Sequence, residues 1–392
     1  MSMHYSCDGY ESCFQAHGRI CSFCVMDESN AAIDFDKDGR CSECRNAQSL
    51  RPSWLSSDAL RSPSFDASIR RIKARRGRGQ FDTLVGLSGG LDSSYVVVEA
   101  VKAGLSVLAM HCDTGWNSQE SVSNIESLCK RLSIPLETVV IDWEAIRDAQ
   151  RAFFLAGVPN CDIPQDHAIA STVGRLASKY RIHTFLSGGN WAAESILPNA
   201  WGHGANDLVH LRAVWKRFGN IALARRFPTY SWLRYRIVQP YIQGVQAWRI
   251  LDDIRFDPAT AKRTLIEEFG WREYGGKHCE SVFTSTFQSV YLPMRFGIDK
   301  RRAHLSSLIV SGLLSRSDAM KRLTEPPMSQ ETAERNVAYL CEKLGFTPAD
   351  WQKFITSPPV LHTAYPVGKF DRAIATWVKK RLERGGRWRR SW

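Results

Sequence analysis

Two stretches of the chain hold residues whose types and spacing can do chemistry. The first is "SGGLDSS", Ser88, Gly89, Gly90, Leu91, Asp92, Ser93 and Ser94, set between the apolar run Phe81–Leu87 and the apolar-periodic run Ser93–Ala103. A strand that turns through Ser-Gly-Gly into a helix aims free backbone N–H groups and a positive helix end at one point, where an anion binds and phosphate best of all. Gly89 and Gly90 allow close backbone approach, and the Ser88, Ser93 and Ser94 hydroxyls can donate to phosphate oxygens. Asp92 fits a bound Mg²⁺ or a helix cap. The alternative is a turn with no ligand, since Gly and Ser dominate turns in any case. The second stretch is a pair of CxxC knuckles, Cys21/Cys24 and Cys41/Cys44. Four thiolates at this spacing suit a tetrahedral zinc, with a redox disulfide as the competing reading. Such an ion would supply on the order of 10 kcal/mol of folding free energy to a short module with little core of its own.

The elements that must position these groups follow from periodicity. Strands are expected at 81–87, 105–111, 136–142 and 182–188, with helices at 93–103, 118–132 and near 166–180. Repeated β-α-β units predict an α/β fold, a doubly wound parallel sheet covered by helices on both faces. Ligands gather beyond the carboxyl ends of such strands. Besides the SGGLDSS turn, two more strand ends are polar: His111-Cys112-Asp113-Thr114-Gly115-Trp116-Asn117 and Ser187-Gly188-Gly189-Asn190. The expected cofactor-binding set is therefore Ser88, Gly89, Gly90, Asp92, Ser93, Ser94, His111, Asp113, Gly188, Asn190 and Glu194, with Asp113 and Glu194 directed at Mg²⁺ or ribose. The sequence contains neither a GxGxxG fingerprint nor a GK[ST] Walker ending at the required spacing.

Composition narrows the class. The chain has 392 residues, 44% of them hydrophobic, enough for a real core. The polar start "MSMHYSC" does not read as a signal peptide, and no apolar run reaches the ~18 residues of a membrane span, so a cytoplasmic protein with reduced thiols is expected. The formal charge of +12 resides in two segments, 61–78 and 379–392, each with a net +6. The rest is neutral, which argues against a nucleic-acid groove, where basic residues and aromatics would spread over a folded face. The expected organisation is a zinc-binding four-cysteine module at 1–50, a basic linker at 51–80, a phosphate-binding α/β domain at 81–245, a mainly helical domain at 246–378 and a basic tail at 379–392. Cys112 and Cys129 read as core residues, Cys7 and Cys13 as bystanders, and His203 and His210 have no evident role.

SGGxDSS resembles the PP-loop of the ATP pyrophosphatases, which split ATP between the α and β phosphates and adenylate a substrate oxygen. The whole chain is similar to the N-acetyl sugar amidotransferases of bacterial surface-polysaccharide and nonulosonic-acid biosynthesis. The likeness runs through "CSFCVMDESNAAIDFDKDGRCSEC", "VGLSGGLDSSYVV", "HCDTGWNS", "IPQDHAI", "LSGGNWAAESILP", "GWREYGGKHCESVFTSTFQ" and "FGIDKRRAHLSSLIVSG". That resemblance implies conversion of an acetamido group on a nucleotide-linked N-acetyl sugar to an acetamidino group, with ATP and Mg²⁺ consumed at the loop and Zn²⁺ in the four-cysteine module. It also implies ammonia from a separate glutaminase subunit, acting with a barrel subunit similar to those of imidazole glycerol phosphate synthase. No Cys-His glutaminase constellation is recognisable in this chain, in keeping with such a division of labour. "GKHCES" and "DKRR" offer the cations Lys277, His278, Lys300, Arg301 and Arg302 for charge developing at the α-phosphate, with a solvated charge cluster as the alternative, and Asp92 completes the catalytic set through its Mg²⁺. A tRNA-modifying PP-loop enzyme, thiolase or lysidine synthetase, is the alternative, and a non-catalytic nucleotide-binding scaffold is a further one.

Overall fold

The computed structural model describes residues 5–76, 79–275 and 279–368. Five parallel strands form one sheet in the order β3-β2-β1-β4-β5: β1 (Thr83–Gly86), β2 (Val107–Asp113), β3 (Leu136–Val140), β4 (Thr184–Leu186) and β5 (Gln246–Trp248). Val85 lies beside both Ala109 of β2 and Leu186 of β4, which places β1 at the centre. The chain winds outward through β2 and β3, then returns to the other side of β1 for β4. That reversal makes a crevice where β1 and β4 end, the place where open α/β sheets bind ligands.

Helices cover both faces. Alternation along β1 sends Leu84 to one core and Val85 to the other. The Val85 side is packed by α2 (Phe65–Arg75), α3 (Leu91–Lys102), α4 (Gln119–Leu132) and, further on, α9 (Pro258–Phe269). The Leu84 side holds α5 (Trp143–Ala156) and α6 (Ile163–Lys179), with α8 (Leu208–Phe218) packed on α5. The same core continues into α1 (Ser42–Ser49) of the cysteine module and the short α7 (Trp191–Glu194). The helices α10 (Val282–Thr286), α11 (Leu292–Phe296), α12 (Lys300–Ser311), α13 (Arg316–Leu323), α14 (Gln330–Leu344) and α15 (Pro348–Thr356) complete it.

Three expectations about organisation change. Residues 65–75 of the basic linker are a helix whose Phe65, Ile69 and Ile72 are buried in the sheet's core, while its Lys and Arg residues occupy the outer face. A boundary at 245 cuts through the sheet, because β5 pairs with β4. The cysteine module is docked rather than separate: Trp191 Nε1 donates to Ala47 O at 3.0 Å, and Val25 N–H donates to Ser306 Oγ at 3.2 Å. The basic tail at 379–392 lies outside the described residues.

Candidate active site and metal-binding cluster

Leaving β1, the chain turns at Gly89 with φ +79°, and a Cβ there would stand 2.8 Å from Ser121 Cα. Only glycine fits. Gly89 O accepts from Trp271 Nε1 at 3.0 Å, and Gly90 serves as the N-cap of α3. Within the loop, Ser88 N–H donates to Ser93 Oγ at 3.3 Å and Gly90 N–H to Ser88 Oγ at 3.2 Å. The Leu91 N–H donates to the Tyr274 hydroxyl at 3.1 Å. The loop's donors are thus gathered at one point and held by hydroxyl groups, which an anion can replace.

The second polar strand end approaches the same point. A Cβ on Gly188 would meet Ser93 N at 3.4 Å, so the end of β4 abuts the first turn of α3. Asn190 is buried and caps α7, its Oδ1 accepting from Ala193 N–H at 2.8 Å while its Nδ2 donates to Gly188 O. It therefore shapes the turn. Glu194 lies nearer the mouth, beside Gly189 and Arg249.

At the end of β2, His111 is mostly buried, with Nδ1 2.9 Å from Leu87 O and Nε2 3.0 Å from Asn117 Nδ2. With Asn117 donating to Nε2, Nδ1 is the ring atom that donates to Leu87 O, and the side chain ties β2 to the residue preceding the loop. Asp113 accepts from Gly115 N–H and Asn117 Nδ2. Ser94 departs from expectation: it is fully buried beneath the loop, with no hydrogen-bond partner for its hydroxyl. Ser88 and Ser93 are the loop serines within reach of the surface.

The C-terminal half supplies the opposite wall. Ser118 N–H donates to Glu280 O at 2.9 Å and Val282 N–H to Trp116 O at 3.0 Å, pinning residues 280–282 to the segment after β2. Glu280 then stands over the loop, its Oε1 3.0 Å from where a Gly90 Cβ would lie. Next to it is a pair that sequence reasoning missed, Asp162 and Asp166, one turn apart at the start of α6. Burial first, and the neighbouring Asp166 second, push the Asp162 carboxyl up to about 8, with Lys300 acting against the shift. Gln165 Nε2 and Thr284 Oγ1 donate to Asp162 at 3.1 and 3.3 Å. Asp166 is exposed, and the surrounding protein raises its carboxyl only to about 6, with Lys300 acting against the shift. No spacing in the sequence marks this pair; only the string "IPQDHAI" contains one of its members.

The expected cations divide. Lys300, the first residue of α12, lies within charge range of Asp162 and Asp166. Arg301 is a correction: Asp299 holds its guanidinium at 2.8 Å, Nη1 donates to Arg322 O and Glu325 O, and the group stacks on Phe14. With its donors used in packing, it braces α12 against α13. Arg302 turns inward to the cysteine module. Lys277 and His278 lie outside the described residues.

The four cysteines converge as expected. Cys21, Cys24, Cys41 and Cys44 are buried, and their sulfurs all lie within 4.8 Å of one another. Cys21 Sγ is 3.8 Å from Cys44 Sγ, and Cys24 Sγ is 3.5 Å from Cys41 Sγ. Cys21 Sγ accepts from the N–H groups of Phe23, Cys24 and Cys41, the kind of support that orients a metal-bound thiolate. The cluster can hold a metal ion. All eleven cysteines are free of disulfides, and Cys112 and Cys129 are buried. His203 and His210 pack with His362 in a ring cluster, where His203 Nε2 sits 2.9 Å from Asp207.

Residues 82–195 match the profile of the queuosine biosynthesis protein QueC, and residues 280–379 match the C-terminal domain of WbpG-like lipopolysaccharide biosynthesis proteins. The first match covers β1 to α7, including the loop; the second begins at Glu280, on the facing wall. The likeness is therefore segmental: a QueC-like segment carries the SGGLDSS loop, and a WbpG-like C-terminal segment follows it. No curated protein matches it significantly. Similar solved structures include the NMN synthetase of Francisella tularensis, with 18% identity, TM-score 0.26, and 41% of this chain and 60% of that one covered. Another is the NH3-dependent NAD synthetase of Campylobacter jejuni, with 19% identity, TM-score 0.25, and 33% and 57% covered. A third is the U34-tRNA thiolase NcsA of Methanococcus maripaludis with its [4Fe-4S] cluster, with 12% identity, TM-score 0.33, and 78% and 89% covered. The chain thus spans about three fifths of the length of the first two. No described helix is long and apolar enough to cross a membrane.

Proposed function

We propose that the chain is the synthetase subunit of an ATP-dependent amidotransferase, converting the acetamido group of a nucleotide-linked N-acetyl sugar to an acetamidino group in lipopolysaccharide or related glycan biosynthesis. One observation carries the reading. Glu280, where the WbpG-like match begins, stands on Gly90 of the PP-loop, so the lipopolysaccharide-type domain and the phosphate loop share one cleft.

An amide oxygen is a poor leaving group. Attack of that oxygen on the α-phosphorus of ATP releases pyrophosphate and gives an O-adenylyl imidate. Ammonia then adds to the carbon, AMP leaves, and a proton is lost to give the amidine. In this chain the loop N–H groups and the Ser88 and Ser93 hydroxyls would hold the pyrophosphate, and Lys300 would offset negative charge across the cleft. Mg²⁺, when bound, would neutralise the phosphates, with Asp92 as the loop's own carboxylate for it. Asp166, exposed and in charge range of Lys300, would be the carboxylate that takes up a proton from ammonia, while Asp162 stays protonated behind it. We assign Lys277 and His278 to the same cationic wall on the resemblance alone.

The sulfur separations support zinc in the cysteine cluster. A tetrahedral ion with bonds of about 2.3 Å sets sulfurs roughly 3.8 Å apart, and four thiolates leave no position open for catalysis. The ammonia source in this reading is a partner glutaminase with a barrel-type subunit.

The test is a reaction of purified chain, ATP, Mg²⁺ and ammonium with a panel of nucleotide-linked acetamido sugars, read by mass. One sugar should lose about one mass unit, as oxygen is replaced by NH, while AMP forms. Glutamine should be inert until the partners are added, and rates with ammonium should rise toward its pKa of about 9. AMP formed without any sugar product, or glutamine-driven turnover by the chain alone, would overturn the assignment.

A further inference from the structure

The Leu91 N–H is the first amide of α3 and belongs to the set that must point at a bound phosphate. Here it donates to the Tyr274 hydroxyl at 3.1 Å, and that oxygen is also 3.2 Å from where a Cβ on Gly90 would lie. Tyr274 comes from "GWREYGG", more than 180 residues downstream, so local chain geometry did not bring it there. It is fixed from behind. Asn124 is buried and grips the Arg272 backbone in both directions, Nδ2 donating to Arg272 O at 2.9 Å and Oδ1 accepting from Arg272 N–H at 2.7 Å. Trp271 donates to Gly89 O and lies edge-on to the Tyr274 ring, with centroids 5.2 Å apart. Next in the chain is Gly275, at φ +91°, a left-handed backbone conformation that favours glycine.

We propose that the Tyr274 hydroxyl is an internal competitor for the PP-loop, holding the Leu91 N–H until a phosphate oxygen takes it, and so sets how tightly the cradle grips pyrophosphate. The idea rests on the phosphate-binding reading of the loop. A buried N–H needs an acceptor, and a neutral hydroxyl is the weaker one. Tyr274 is such a hydroxyl: burial first, and the nearby Glu280 carboxylate second, keep its proton on. When a phosphate oxygen accepts from Leu91, the tyrosine hydroxyl has to move aside. That exchange satisfies the amide in both states and weakens the binding of pyrophosphate, the product that a synthetase of this kind must release. The Asp92 and Glu280 carboxylates both act on the Tyr274 hydroxyl, and both add repulsion to an unneutralised phosphate.

The experiment is titration of the full chain with magnesium pyrophosphate by calorimetry, comparing wild type with Tyr274→Phe. Losing the competitor should tighten binding roughly two- to tenfold, the equivalent of one ordinary hydrogen bond. Thermal melting supplies the second readout. Tyr274→Phe should lower the midpoint without ligand and show a larger upward shift with pyrophosphate, a pattern that a merely structural tyrosine would not give. Weaker or unchanged binding by Tyr274→Phe, beside wild type that binds, overturns the competitor role and leaves the loop assignment standing. No binding by wild type, with Gly90→Val indistinguishable from it, overturns the loop assignment itself.

Discussion

Arg302 Nε lies 3.0 Å from Asp27 Oδ2, and both side chains are almost wholly withdrawn from water. This ion pair joins α12 to the loop after the first cysteine knuckle. Its surroundings are also satisfied: Arg302 Nη1 donates to Val25 O at 3.0 Å, while Asp27 accepts from His17 N–H and from Ser29. Removing one partner leaves a buried, uncompensated charge, so Arg302→Ala should cost about 3–5 kcal/mol in chemical denaturation. The double variant Asp27→Asn/Arg302→Met should recover much of that loss. Equal losses in the single and double variants would mean that packing, rather than charge, governs this contact.

Gly89 and Gly90 fail differently when substituted. At Gly89 the backbone is left-handed and Ser121 lies behind it, so Gly89→Ala should destabilise the fold by more than ~1 kcal/mol and distort the loop. At Gly90 the obstruction is Glu280 and Tyr274 on the ligand side. Gly90→Val should therefore leave the melting midpoint near wild type while AMP formation is lost, as it should be in Asp92→Ala. AMP release at the wild-type rate in either variant would exclude the loop from the chemistry.

Asp162 predicts a pH dependence with a definite sign. Its folded-state carboxyl lies near 8, above the ordinary unfolded value of about 4, so the folded chain binds the proton more tightly. Its contribution to stability is complete below about pH 4 and declines as the pH rises toward 8. Asp162→Asn should flatten that decline in denaturation measured from pH 5 to 8, becoming more stable relative to wild type at the alkaline end. Parallel curves would show that Asp162 is already ionised at neutrality.

Elemental analysis should return about one zinc per chain, and Cys24→Ser should lose both the ion and soluble yield, because four thiolates form a closed structural site. Because Cys24 and Cys21 carbonyls accept from Arg316, the loss should also loosen α13 in hydrogen exchange. Metal-free protein with stoichiometric disulfides after anaerobic purification would contradict this.

What could be read from the sequence had local causes. Strand–turn–helix through SGGLDSS is dictated by glycine and apolar periodicity over about twenty residues, and the observed β1 and α3 fall close to the expected spans. The cysteine cluster is similarly local, since the two knuckles close on each other. The failures were long-range. β5 is three residues long and has no periodicity to show; it exists because β4 offers it an edge. The basic segment holding α2 was read by charge, which hid the buried stripe of Phe65, Ile69 and Ile72. Arg301 and Lys300 are adjacent in sequence and point to different neighbours, because successive helical side chains diverge by about 100°. Asp162 and Tyr274 reach the site through tertiary packing alone, and no single-sequence spacing encodes that.

Arg316 closes over the cysteine knuckles by donating to Cys24 O at 3.1 Å and Cys21 O at 3.0 Å, and the residues it joins are 292 and 295 positions apart. At ordinary synthesis rates of about 5–20 residues per second, roughly 15 to 60 s separate the emergence of Cys24 from that of Arg316. During that interval the thiolates are open to the medium; afterwards they are sealed beneath α12 and α13. The order of emergence therefore lets the knuckles close on an ion before α12 and α13 exist to cover them. A chain made in metal-poor cells would reach Arg316 with its knuckles unsupported, and α13 would then have no closed module to dock on.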